Sequence, residues 1–114
     1  ITGTTSSTDF PLDSLSMPGS FIQSTRGNTG GPGGKTDVFI VKFNAAGARQ
    51  WATYYGGDNT ESTPSVATDI FNNLWVTGVT RSLDFSTDSM SNAFFQNNHS
   101  GGINDVFILK FDNL

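Results

Sequence analysis

Along this chain apolar side chains fall into short runs of alternating period, and no stretch of useful length carries a helical period. The clearest run is Asp37-Val38-Phe39-Ile40-Val41-Lys42-Phe43. It predicts a strand with Phe39, Val41 and Phe43 on one side and Val38 and Ile40 on the other, ending in Lys42. Both sides are apolar, so both should be covered by other layers. Asn44-Ala45-Ala46-Gly47 predicts a hairpin turn, and Gln50-Trp51-Ala52-Thr53-Tyr54-Tyr55 the next strand, stopped by Gly56-Gly57. A polar loop over 58–64 leads to a strand over 65–71, which turns at Asn72-Asn73 into a strand over 74–80. There Leu74, Val76 and Thr80 point one way and Trp75, Thr77 and Val79 the other. Residues 1–5 and 105–111 complete the predicted set.

Several of these runs are said twice. The phrase at 37–43 returns at 105–111 with only Val41 changed, to Leu109. Ile1-Thr2-Gly3-Thr4-Thr5 returns as Val76-Thr77-Gly78-Val79-Thr80, and the Asp9-Phe10 that follows it as Asp84-Phe85. Ser16-Met17 with Phe21-Ile22-Gln23 matches Ser89-Met90 with Phe94-Phe95-Gln96. The connection from Phe10 to Asp37 is 27 positions and that from Phe85 to Asp105 is 20, the excess lying in the glycine tract at 27–34. Length changes of that kind are tolerated on a surface. Phe10, Leu12, Leu15, Met17, Phe21 and Ile22 are spaced through the longer connection, which should pin it to the body of the fold.

Antiparallel strands recurring with one enlarged connection per unit predict an all-β fold. The expected architecture is four-stranded blades of a β-propeller, about one and a half of them, with a first copy at about 1–57 and a second at about 58–114. A two-sheet β-sandwich built from the same strands is the alternative. A blade is buried only by its neighbours, so the chain is expected to be a piece of a longer protein and not to fold alone.

The ordered phrases resemble the bacterial β-propeller repeat family often called SBBP, after "seven-bladed beta propeller". The residues carrying the resemblance are 37–47, Trp51-Ala52-Thr53-Tyr54-Tyr55-Gly56-Gly57, Val66-Ala67-Thr68-Asp69, 73–80 and Ser82-Leu83-Asp84-Phe85, nearly the whole chain. The resemblance implies a propeller in a large secreted or surface-exposed bacterial protein. It brings no catalytic residues.

Composition narrows the function classes further. Only 14% of residues are charged and Lys and Arg total six without clustering, which argues against a nucleic-acid partner. The net charge of -4 comes from scattered residues, and no acidic block is present. Cysteine is absent, so neither a thiolate metal site nor a disulfide framework can form. No apolar run reaches the roughly 18 residues of a membrane-spanning helix.

Candidate chemistry is thin. Asp58-Asn59-Thr60-Glu61 groups hard oxygen ligands, making Asp58 and Glu61 weak Ca²⁺ candidates outside any EF-hand spacing. As a glycosidase pair they are outweighed by a solvated turn. Asp37 and Asp105 open equivalent strands, and repetition points to a building role. His99 lies in a loop without an evident oxyanion hole, a poor host for a nucleophilic triad. The tract before Gly34-Lys35-Thr36 lacks the P-loop's first glycine, since position 29 is Thr, and precedes a strand. Asn98-His99-Ser100 is formally an N-glycosylation sequon. Ser14 and Ser89, in Asp-Ser-apolar triplets of corresponding loops, are O-glycosylation candidates.

The functional expectation is non-enzymatic: a secreted or cell-surface scaffold for adhesion or for binding protein or glycan. Its partners would be neighbouring blades, another protein chain, or a glycan or surface ligand met on the long loops. The alternative is part of a propeller hydrolase or lyase acting on polysaccharide, its reactive groups supplied by blades outside this stretch.

Overall fold

Six strands and no helix make up the described residues of the computed structural model: 1–12, 21–27, 35–87, 96, 98–99 and 101–112. The strands are β1 (Thr2–Thr5), β2 (Asp37–Phe43), β3 (Arg49–Tyr55), β4 (Glu61–Thr68), β5 (Leu74–Thr80) and β6 (Asp105–Phe111). All pairs are antiparallel and fall into two sheets, ordered β1-β2-β3 and β4-β5-β6. The all-β class expected from the alternating pattern is the observed one. Each sheet has three strands among the described residues, where the repeat predicts four, because the chain leaves the first sheet at Gly56 and opens the second with β4.

The predicted bounds of β2, β5 and β6 coincide with the observed ones, whereas β4 is displaced toward the amino end. It starts at Glu61, inside the expected loop, and stops at Thr68. A bulge between Ser62 and Ser65 explains the misreading: Thr63 takes a left-handed φ of 48°, and Pro64 is admitted because β4 is an edge strand. Residues 69–71, read as strand, form the hairpin turn, with Asn72 at φ 62°. Ile70, which a strand over 65–71 would have carried into the sheet, is consequently 90% exposed.

Residues opposite one another in an antiparallel ladder share a face. In the first sheet, Val38 with Tyr55, Ile40 with Thr53 and Lys42 with Trp51 therefore form one face, and Phe39 with Tyr54 and Gly3 the other. In the second sheet Val76 with Leu109, Gly78 with Phe107 and Leu74 with Phe111 form one face, and Trp75, Thr77, Val79, Val106 and Ile108 the other. The core joins Val38, Ile40 and Tyr55 of the first sheet to Val76 and Phe107 of the second, with Trp51, Leu74, Phe85, Leu109 and Phe111 around them.

The repeat is also structural. Phe10 stacks on Phe39 with ring centroids 4.8 Å apart at 27°, and Phe85 on Phe107 at the same distance and angle. Each lower ring lies against a glycine: a Cβ on Gly3 would come within 2.7 Å of the Phe39 ring, and one on Gly78 within 2.6 Å of the Phe107 ring. The coverage differs between copies. β2 is covered on both faces over 38–41, as its pattern predicts, while Phe43 at its end is 43% exposed; on β6 Val106 and Ile108 are 72% and 69% exposed.

Candidate functional site

The antiparallel register brings one end of every strand to a common edge of the molecule: Thr5 opposite Asp37, Thr80 opposite Asp105 and Glu61 opposite Thr80. The connections at this end are laced together by hydrogen bonds. Glu61 and Thr36 exchange two, the Glu61 N–H to the Thr36 carbonyl at 2.7 Å and the Thr36 hydroxyl to the Glu61 carbonyl at 2.7 Å. The Asp58 N–H donates to Asp84 at 2.7 Å, the Asn59 N–H to the Ser82 hydroxyl at 2.9 Å, and the Gly56 N–H to the Gln23 side chain at 3.2 Å.

At its centre two carboxyl groups are fully buried, Asp37 at the start of β2 and Glu61 at the start of β4. Glu61, read from sequence as part of a solvated turn, accepts the hydroxyls of Thr80 and Ser82 on Oε1, each at 2.6 Å, and the Gly57 N–H on Oε2 at 3.3 Å. Asp37 Oδ2 accepts the Gly27 N–H at 2.8 Å, and its Oδ1 is buried without a hydrogen-bond partner. Gly56 is wedged between the two groups: a Cβ there would lie 2.6 Å from Asp37 Cγ and collide with Glu61 Oε2.

Burial raises both carboxyls above their ordinary values. For Asp37 the Gly27 hydrogen bond and the Arg26 charge oppose the rise, and the Asp84 charge adds to it. For Glu61 the bonds from Ser82, Thr80 and Gly57 oppose it, and the negative charge of Asp37 adds to it. The pair couples the two sheets through loop hydrogen bonds. Both side chains are sealed from solvent, and their hydrogen bonds hold the sheet junction together.

The Ca²⁺ candidates are not brought together. Asp58 lies on the exposed side with Oδ1 accepting the Leu83 N–H at 3.3 Å, while the Glu61 carboxylate is turned inward onto its three donors. Among the described residues no three His, Cys, Asp or Glu side chains are grouped as a metal centre would require. His99 Nδ1 lies 3.7 Å from Asp105 Oδ2, and Glu61 is not among its partners. Ser14 and Ser89 lie outside the described residues.

Sequence reasoning missed a second polar device at the opposite edge. Asp69 closes the β4–β5 hairpin by accepting the N–H groups of Phe71 and Asn73 on Oδ1, both at 2.9 Å, and the Asn73 amide and Trp75 indole on Oδ2 at 2.9 and 3.2 Å. Desolvation raises this carboxyl, but the four hydrogen bonds outweigh it and hold Asp69 at about 2. The signal lay in the spacing Asp-x-x-x-Asn-x-Trp across a turn, which an Asx-type turn exploits. Asn44 plays a related part in the β2–β3 turn, accepting the Ala46 and Ala48 N–H groups.

No protein-family model, curated protein or solved structure matches the chain. No helix among the described residues is long and apolar enough to cross a membrane.

Proposed function

We propose that this chain is a scaffold segment of a secreted or cell-surface bacterial repeat protein, a unit of a β-propeller that serves adhesion or the binding of protein or glycan. One observation carries the reading: the two sheets meet by unlike faces. The Val38–Ile40 face of the first sheet packs on the Gly78–Phe107 face of the second, and each sheet carries both kinds of face. Serial stacking of like units produces that arrangement, as blades around an axis do. The inward-turned Glu61 and the sealed Asp37 fit a building role for the acidic groups. The ligand surface under this reading is the hydrogen-bonded loop edge around Asn59, Arg81 and Asn104, where Arg81 Nε donates to Asn104 at 2.8 Å.

Protease shaving of intact source cells, with peptide mass spectrometry of shaved and secreted fractions, tests the location. Peptides from this chain in those fractions are expected, and their restriction to the cell interior overturns the reading. Binding of the natural protein to immobilised polysaccharide, with no release of new sugar ends, is the matching functional result. Cleavage of the polysaccharide would replace the scaffold with an enzyme.

A further inference from the structure

We propose that Asp37 and Glu61 form a one-proton latch, which closes the loop edge between the two sheets at acid pH and releases it as pH rises. Its two halves come from different sheets, Asp37 from β2 and Glu61 from β4, and every group it uses lies within the described residues.

Both side chains are fully buried and both flank Gly56, where a Cβ would lie 2.8 Å from Asp37 Oδ2 and closer still to Glu61 Oε2. The hydrogen bonds around them provide for one negative charge and not for two. Glu61 has three donors, the Thr80 and Ser82 hydroxyls at 2.6 Å and the Gly57 N–H at 3.3 Å, the setting of an ionised carboxyl. Asp37 has the Gly27 N–H at 2.8 Å and the Gln23 amide at 3.4 Å, both on Oδ2, while Oδ1 is buried with no partner. A neighbouring like charge and an unpartnered oxygen both favour keeping a proton, which belongs to the pair as a unit.

The surrounding charges do not relieve the pair. Arg26 faces Asp37 from the 21–27 segment and acts on it by charge, while its Nη1 donates to the Lys35 carbonyl and its Nε is buried without a partner. Asp84, on the loop after β5, opposes ionisation of Asp37. Asp58 holds the Lys35 ammonium on its carbonyl at 2.9 Å, and Asp105, opposite Thr80 on β6, has His99 3.7 Å away. Loss of the last proton puts two anions in a sealed space, and water reaches them only when the covering segments part. Those covers are 21–27, Gly56-Gly57 and 80–82, held over the pair by the hydrogen bonds described. The ladders through Ile40 and Val76 lie farther along their strands, so the edge opens while the sheets stay formed.

Carbon-13 NMR of the side-chain carboxyls in the full chain, titrated with pH, reads the proton, and amide hydrogen exchange reads the edge. Asp37 and Glu61 together should keep one proton above the ordinary carboxylate range. Protection at the Gly27, Gly57 and Glu61 amides, corrected for the intrinsic rate, should fall about tenfold per pH unit from that range up to the pH at which the proton leaves. Ile40 and Val76 should remain protected at the pH where those three amides exchange freely. Asp37→Asn keeps the side-chain shape without the shared proton and should abolish the fall, whereas His99→Gln should leave it in place. Two carboxyls that both ionise in the ordinary range overturn the latch, and that titration of the unsubstituted chain stands whether or not the variants fold. Level protection at the edge, edge and strand amides losing protection together, or a fall that survives Asp37→Asn or vanishes with His99→Gln overturns it equally.

Discussion

Ile40 and Ile108 occupy the same place in one repeated phrase, yet Ile40 is fully buried and Ile108 is 69% exposed. Both sit mid-strand on an antiparallel ladder, but Ile40 is on the central strand of its sheet and Ile108 on an edge strand. The layer above them differs as well. Ile40 faces the second sheet, and Ile108 looks away from the first.

The contrast predicts unequal costs for one substitution. Ile40→Ala leaves a cavity in the core and should cost about 2–5 kcal/mol. Ile108→Ala should change stability by no more than about 0.5 kcal/mol. Urea denaturation of the two variants checks this, and equal losses would place the sheets differently.

Stability should also depend on pH with a sign set by the buried carboxyls. Glu61 and Asp37 titrate above their ordinary values of 4.5 and 3.8, so over this window the folded chain binds more protons than the unfolded one. Stability is therefore greatest from this pair at acid pH and falls as pH rises from about those values through the raised ones. Asp69 acts oppositely: its contribution is present above 3.8 and is lost as pH falls toward about 2. Denaturation midpoints should fall as pH rises from the ordinary carboxylate values toward neutrality, and fall again as pH drops from 3.8 toward about 2. Glu61→Gln removes one charge of the buried pair and should flatten the fall on the neutral side.

Glu61→Ala should be far more damaging than Glu61→Gln. It strips the Thr80 and Ser82 hydroxyls and the Gly57 N–H of their acceptor. Each buried group left unpaired costs about 1–3 kcal/mol. Calorimetry that found the two variants equally stable would remove Glu61 from the sheet junction.

Gly78 is tied to Phe107 by space. An added methyl would meet the ring at 2.6 Å, so Gly78→Ala should cost about 1–3 kcal/mol through overpacking. Combining it with Phe107→Leu should cost less than the separate losses together, because the shorter side chain vacates the collision. Additive losses in the double-mutant cycle would contradict the contact.

The hairpin at the opposite edge depends on Asp69. Asp69→Ala should speed hydrogen exchange at the Phe71 and Asn73 amides and at the Trp75 indole while leaving β6 amides unchanged. Unchanged exchange at all three would show that the turn is held by its backbone alone.

The alternating pattern by itself determined the strands β2, β5 and β6 to the residue, the turn at 44–47, and the duplication that makes Phe39 and Phe107 equivalent. These depend on short-range chemistry: the period of the backbone, hairpin turn residues, and one phrase written twice. Tertiary structure alone decided which copy of that phrase is covered, since burial depends on the layer a face meets and both copies carry the same face. It also decided the fate of Glu61. In a stretch of Asp, Asn, Thr and Ser nothing local marks a buried acid, and the hydroxyls that receive it stand 19 and 21 residues away. The bulge at 62–65 escaped for a related reason: Pro64 reads as a strand breaker until β4 is known to be an edge with no partner awaiting its missing N–H.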